Sequence, residues 1–198
     1  MYCLNAIFGA TNLKTKMKKN YLFLFLAVLL FNGVYAQDEA VTSVRKHQFK
    51  INMLLPGFVY EHGFSAKNTL YSEASLGLGY RYSSYYDESS WYILPMINEQ
   101  FRHYYNLEKR AAKGKRTAYN SGNFIAANAI YNFKSLSTND KYGNYDPSFT
   151  IAALWGLQRT YKGRFNLEFN IGPGVNFDKY DTEFTPVGNF TLGWVIGK

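Results

Sequence analysis

Residues 164–177 read RFNLEFNIGPGVNF. From Phe165, one parity carries Phe165, Leu167, Phe169, Ile171, Pro173, Val175 and Phe177. The other carries Asn166, Glu168, Asn170, Gly172, Gly174 and Asn176. Successive side chains of a strand point to opposite faces, so this pattern predicts a strand with one apolar and one polar face. The apolar face needs a partner, which is either the second sheet of a sandwich or lipid.

The rest of the chain favours lipid. Seven strand-like runs fall at about 48–61, 68–82, 91–105, 121–134, 147–160, 164–177 and 187–197. Each has about 11–15 residues, against ~5–6 for an ordinary soluble strand and ~9–11 for one that crosses an outer membrane at a tilt. In the second run Leu70, Ala74, Leu76, Leu78, Tyr80 and Tyr82 alternate with Tyr71, Glu73, Ser75, Gly77, Gly79 and Arg81. The last sets Phe190, Leu192, Trp194 and Ile196 against Thr191, Gly193 and Gly197. A sandwich would turn charged faces to water; these polar faces are mostly Asn, Ser, Thr and Gly, which suits a narrow polar interior. Tyr80, Tyr82, Tyr85, Tyr86, Trp91, Tyr92, Tyr104 and Tyr105 cluster near run ends, as interfacial girdles do.

Two runs are less regular. Pro56-Gly57 breaks the first, where a bulge is expected to flip the face. The third carries polar residues on both parities after Ile97. Connections 62–67, 106–120 and 161–163 share one end, and 83–90, 135–146 and 178–186 share the other. The second set is polar and rich in Tyr, which predicts surface-exposed loops. Barrels of this kind have even strand numbers, so the expectation is eight, with the missing strand drawn from about Ala40–Lys46. The alternative is a gap or a short first strand. The expected fold is all-β: an antiparallel up-and-down transmembrane β-barrel over 48–198 with a closed, side-chain-filled interior.

The segment beginning at Met17 reads MKKNYLFLFLAVLLFNGVYAQDE. Lys18 and Lys19 form a basic start, Tyr21 to Phe31 is an apolar run of 11 residues, and Val34-Tyr35-Ala36 is a small-x-small site. Spanning a bilayer by helix takes roughly 20 residues, so the reading is a signal peptide over 17–36, cleaved after Ala36. Residues 1–16 then read as an upstream extension ahead of the true start, and 37–47 as an N-terminal segment. The sole cysteine, Cys3, falls in the extension, so the mature chain needs no disulfide. Removing 1–36 takes four lysines and no acid, and the net charge falls from +8 to +4. One connection, 106–120, holds that whole excess.

With these features the chain resembles the small outer-membrane β-barrel proteins of Gram-negative bacteria, from Gln37 to Lys198. The signal peptide, the alternating strands and the aromatic final strand GNFTLGWVIGK carry the resemblance. The chain is also similar to a barrel group without assigned function, marked by the basic turn YYNLEKRAAKGKRT followed by SGNF. The final strand departs from the common pattern in ending on Lys198 and not on an aromatic. The resemblance implies outer-membrane lipid and the barrel-assembly machinery as partners.

An eight-stranded barrel has an interior just wide enough for side chains. Glu73 and Glu168 are expected to face in, with Glu99 at the same height if its parity is inward. Carboxylates so confined need cationic partners. The expectation is a lumen polar network in which Arg102, Gln158, Asn166 and Asn170 satisfy them; a cation-binding acidic belt is the sharper alternative. The basic turn, with Lys109, Arg110, Lys113, Lys115 and Arg116, reads as a solvated periplasmic turn with one helical turn near Leu107–Lys113, or as a grip on acidic headgroups or a periplasmic partner. His47, His62 and His103 are scattered, without ligand spacing or a Ser partner, so no catalytic residue, metal or cofactor is expected. Export argues against nucleic acid. The expected role is structural or surface interaction through loops such as SSYYDESSW and STNDKYGNYD. The alternatives are a narrow acidic pore for ions or small solutes and a lipid-modifying envelope enzyme.

Overall fold

The computed structural model describes residues 42–83, 88–137 and 145–197, all within the compact unit Gln37–Lys198. Residues 1–41, with the expected signal peptide and upstream extension, Tyr85 and Tyr86, and most of the two Tyr-bearing loops lie outside the described residues.

The strands are β1 (His47–Asn52), β2 (Gly57–Gly63), β3 (Asn68–Ser83), β4 (Glu88–Tyr104), β5 (Asn123–Asn132), the two-residue β6 (Leu136–Ser137), β7 (Ser148–Thr160), β8 (Phe165–Phe177) and β9 (Thr182–Ile196). All pairings are antiparallel. They run β3-β2-β1-β9-β8-β7-β5-β4, and β4 returns to β3. The sheet is therefore a closed ring of eight strands, and β6 prolongs the β5 side against β4 through Ile93↔Leu136.

The eighth strand is not where the sequence pointed. Residues 42–46 form no strand. The first run instead splits into β1 and β2, joined by Met53–Pro56 and paired from His47↔His62 to Asn52↔Gly57. Pro56-Gly57 is thus the end of a hairpin turn and not a bulge. Gly57 is required by close approach, since a Cβ there would lie 2.5 Å from Ser75 Cβ on β3.

The burial pattern is inverted relative to a water-soluble domain. In β1 it reads exposed-buried throughout: Gln48, Lys50 and Asn52 point in, Phe49 and Ile51 point out. Asn166, Glu168 and Asn170 of β8 are each 1 % exposed, whereas Ile171 is 49 % exposed. Outward apolar residues include Leu76, Leu78, Ile125, Ile151, Phe190 and Trp194. The same parity corrects two girdle assignments: Tyr92 and Tyr104 are fully buried inside, while Tyr80, Trp91 and Tyr105 are exposed.

The ring has two unlike ends. The strand ends joined by 64–67, 105–122 and 161–164 lie at one, here the near end; those flanking 53–56, 84–87, 133–147 and 178–181 lie toward the other, the far end. At the near end the 105–122 connection folds inward. It contains α1 (Leu107–Ala111), whose Leu107 packs with Val44, Tyr104, Phe124, Ala126 and Leu154 in the apolar core. Asn106 Oδ1 accepts from the Asn123 N–H at 2.7 Å, and Asn120 Oδ1 from the Arg45 N–H at 2.6 Å.

At the far end the wall is uneven. β1 and β2 have 6 and 7 residues against 16 and 17 for β3 and β4. β9 pairs with β1 only from Gly193 to Ile196, and β3 with β2 only from Thr69 to Ser75. Two further bonds finish the low wall: the Met53 N–H donates to Leu192 O at 2.8 Å, and the Leu76 N–H to Pro56 O at 3.0 Å. Beyond them, among the described residues, β3 pairs with β4 alone and β9 with β8 alone.

Candidate functional site

The near half of the interior is filled by an ionic cluster. Glu168 of β8 accepts from Arg102 of β4 through both oxygens, at 2.5 Å and 3.2 Å, and from Lys50 Nζ of β1 at 3.0 Å. Such a forked guanidinium–carboxylate pair fixes orientation as well as charge. Arg102 Nε donates to Gln100 Oε1 at 2.9 Å, and Lys50 Nζ to Gln158 Oε1 at 2.9 Å. The Arg102 guanidinium lies 3.6 Å from the Tyr71 ring centroid and 4.3 Å from that of Phe124, between two aromatic faces.

Glu61 of β2 completes the cluster. Its Oε1 accepts from Thr69 Oγ1 and Tyr104 Oη, both at 2.8 Å, and its Oε2 lies 3.7 Å from Lys50 Nζ. Gln158 Nε2 donates to Tyr119 O at 2.9 Å, which ties the cluster to the inward-folded connection above it. Asn166 Nδ2 donates to Thr160 Oγ1 at 2.8 Å.

Of the residues the sequence placed in the lumen network, Glu73, Glu168, Arg102, Gln158, Asn166 and Asn170 are all buried inside. Glu99 is not among them. In β4 the even-numbered Asn98, Gln100 and Arg102 face in, so Glu99 faces out, where it accepts from Ser72 Oγ at 2.7 Å. Sequence reasoning also missed Lys50, Glu61, Gln48 and Gln100, which are 0–2 % exposed. For Gln48, Lys50 and Glu61 the signal was available: with the face changing at Pro56-Gly57, alternation turns all of 48, 50, 52, 59 and 61 inward.

The far half is different. A cavity of about 280 Å³ opens there, lined among others by Leu55, Glu73, Asn98, Asn128, Asn170 and Val187. Glu73 marks its floor; it accepts from Asn52 Nδ2 at 2.9 Å, Tyr71 Oη at 3.0 Å and Asn98 Nδ2 at 3.1 Å.

The basic turn is only partly solvated. Lys109, Lys113 and Lys115 are exposed; Arg110 and Arg116 are half-buried, and Arg110 donates to Arg116 O at 3.0 Å. Burial lowers the Arg110 pKa from its ordinary value. Thr117, Asn120 and Ser121 are buried where the turn folds over the near end.

The histidines lie on the outer side of the wall near the same end. Tyr60 Oη is 2.8 Å from His47 Nδ1 and 3.4 Å from His62 Nδ1, and His103 Nδ1 is 2.7 Å from Asn68 Oδ1. Among the described residues, no three of His, Cys, Asp and Glu converge as metal ligands would. No helix among them is long and apolar enough to cross a membrane, which says nothing of crossing by strands. No protein-family model, curated protein or solved structure matches this chain.

Proposed function

We propose that this chain is a bacterial outer-membrane β-barrel that does not conduct and that acts through its far end in a structural or surface-interaction role. The observation that carries the proposal is the contrast inside the ring: a buried ionic cluster fills the near half, while the far half holds an open cavity. A diffusion path would have to cross Lys50, Arg102, Glu61 and Glu168, none more than 1 % exposed.

The inverted burial supports lipid around the wall. On β3 the outward apolar residues run from Leu70 to Tyr80. Ten residues span about 33 Å along a strand, or ~25 Å of height at a ~40° tilt, which matches the apolar band of such barrels. In this reading the near end, with Lys109, Arg110, Lys113, Lys115 and Arg116, faces the periplasm. The far-end loops face outward to a surface ligand. Lipid surrounds the wall and the assembly machinery inserts it; catalysis and nucleic acid have no part.

The test is expression of residues 17–198 in a Gram-negative host. Unboiled and boiled outer-membrane fractions should migrate differently on a gel, because a closed barrel stays compact in detergent until heated. The purified protein should then be silent in planar-bilayer recording. Recovery as a soluble periplasmic protein without a gel shift would overturn the membrane reading. Steady single-channel currents would overturn the closed lumen.

A further inference from the structure

Among the side chains that the structure describes, the buried interior charges do not balance. Two cations, Lys50 and Arg102, face three carboxylates, Glu61, Glu73 and Glu168, and each of the five is at most 3 % exposed. Both cations are engaged by Glu61 and Glu168. Among the described residues Glu73 has no ion-pair partner, and its three neutral donors leave part of a carboxylate's four-fold acceptor capacity unused. The surplus carboxylate is the one that lines the far cavity.

Two more acceptors there are spare. Asn128 and Asn170 line the same cavity at 5 % and 1 % exposure, and the Oδ1 of each lacks a donor. Their orientations are set by what the amide nitrogens meet. Asn128 Nδ2 donates to Asn98 Oδ1 and Glu99 O, and Asn170 Nδ2 reaches Glu168 Oε1 at 3.5 Å. Asn98 cannot be turned round to relieve Asn128, because its own Nδ2 donates to Glu73. Buried acceptors without donors are unfavourable, so this cavity is short of hydrogens and of positive charge together.

We infer that the cavity binds a small ligand through a primary ammonium group. An ammonium brings one positive charge and three donors. Glu73 on β3, Asn128 on β5 and Asn170 on β8 are three acceptor groups on three walls of one cavity. Leu55, Met96, Leu154 and Val187 give an aliphatic stem apolar surface to lie on. A hard divalent cation is a poorer match, since it takes about six or more oxygens and favours several carboxylates. The low β1–β2 wall, with Leu55 at its tip, leaves the cavity open toward the side as well as the far end. The ammonium can therefore come from a free amine or from the headgroup of a neighbouring lipid. The assignment rests on the proposal that the far half, and not a through-pore, is the working part.

The experiment follows the side-chain amide NMR signals of Asn128 and Asn170 in the folded, detergent-solubilised barrel. n-Butylammonium chloride is titrated against n-butanol and against sodium chloride at equal ionic strength. A saturable shift with n-butylammonium alone is the expected result, weakened about tenfold or more in Glu73→Gln, as loss of a charge-assisted bond implies. Asn170→Leu is the second variant, and the gel shift shows that each variant is folded. Equal shifts with n-butanol, or none with any probe, would overturn the assignment. Bilayer discs of phosphatidylethanolamine against phosphatidylcholine locate the source. Shifts with the first alone mean a lipid headgroup, and shifts with the free amine only mean a soluble ligand. A silent bilayer recording together with no binding would sink the ligand while leaving the closed barrel standing. Conductance would sink the closed barrel instead.

Discussion

The two halves of the barrel share most of their strands and solve opposite problems. In the near half every strand of the ring is present, and the interior is packed with paired charges, aromatic faces and the inward-folded 105–122 connection. In the far half β1 and β2 end at about the level of Ser75, and Glu73, Asn128 and Asn170 line the cavity that opens there. Unpaired buried polar atoms occur in both halves, such as Gln48 Oε1 and Glu61 Oε2 in the near one and Asn128 Oδ1 and Asn170 Oδ1 in the far one, but of these only the far ones line a cavity. Partly satisfied buried groups are costly, and those beside open space can be satisfied by a ligand, as inferred above for the far cavity.

The sharpest way to break this contrast is to remove a charge from each half. Arg102→Leu leaves Glu168 buried with Lys50 as its one remaining cation. Breaking a buried pair from one side costs about 3–5 kcal/mol. Urea unfolding of the barrel, followed by the gel shift, should show that loss. Glu73→Gln keeps shape and acceptor oxygen in the far half, where no cation is stranded, and should cost about 1 kcal/mol or less. Equal costs would mean that the two halves are one network.

Depth gives the second test. The β1–β2 tip is level with Leu76, part-way along the outward band from Leu70 to Tyr80. It reads Met53-Leu54-Leu55-Pro56 without a polar side chain, and Leu54 is 53 % exposed. That sequence suits the lipid surroundings proposed for the wall. Leu54→Arg should therefore cost about 2–4 kcal/mol for barrels folded into vesicles, as charge on the lipid face does near mid-depth. A neutral outcome would place the tip in water and take the low wall out of the membrane.

That same tip explains where sequence reading succeeded and failed. The closed antiparallel ring was legible, because alternation over long runs is a property of each strand by itself. Glu73, Glu168, Gln158, Asn166 and Asn170 were legible for the same reason. The β1–β2 hairpin was not, because turns are recognised by polar residues and this one is apolar. Lys50 and Glu61 were missed for a different reason, since the face flip expected at Pro56-Gly57 already puts both on one face and was not followed through. Glu99 failed for a simpler reason: it stands three residues from Arg102, so a regular strand cannot turn both inward. The cavity was beyond reach, since it depends on how far β9 outruns β1, a matter of pairing between distant segments.

Packing offers a third and smaller comparison, using one substitution at two glycines. A Cβ on Gly156 would strike the Phe124 ring, which also stacks on Arg102 in the near half. Gly188, on the part of β9 that β1 does not reach, has nothing within 4 Å of such a Cβ. Gly156→Ala should cost about 1–3 kcal/mol through overpacking. Gly188→Ala should stay within about 0.5 kcal/mol, as open surface positions do. Thermal midpoints of the gel shift measure both, and a large loss at Gly188 would show that the far wall is closer-packed than its neighbours here imply.

The smallest effect belongs to the far-end turn between β8 and β9. Asp178 Oδ1 accepts from the Tyr180 N–H at 2.7 Å and the Asp181 N–H at 2.8 Å, and these bonds hold its pKa below the ordinary aspartate value. A depressed carboxylate stabilises the folded state above the unfolded pKa and loses that contribution as pH falls through the folded one. The turn should therefore loosen only in acid, below the usual aspartate range. Hydrogen exchange at Tyr180 and Asp181 should rise there in the wild type beyond the intrinsic pH trend, and Asp178→Asn should abolish that rise. Because Asp178 is fully exposed, global stability should barely move. A global transition at the same pH would mean that this turn is coupled to the near-half cluster, and that the halves are less independent than their packing indicates.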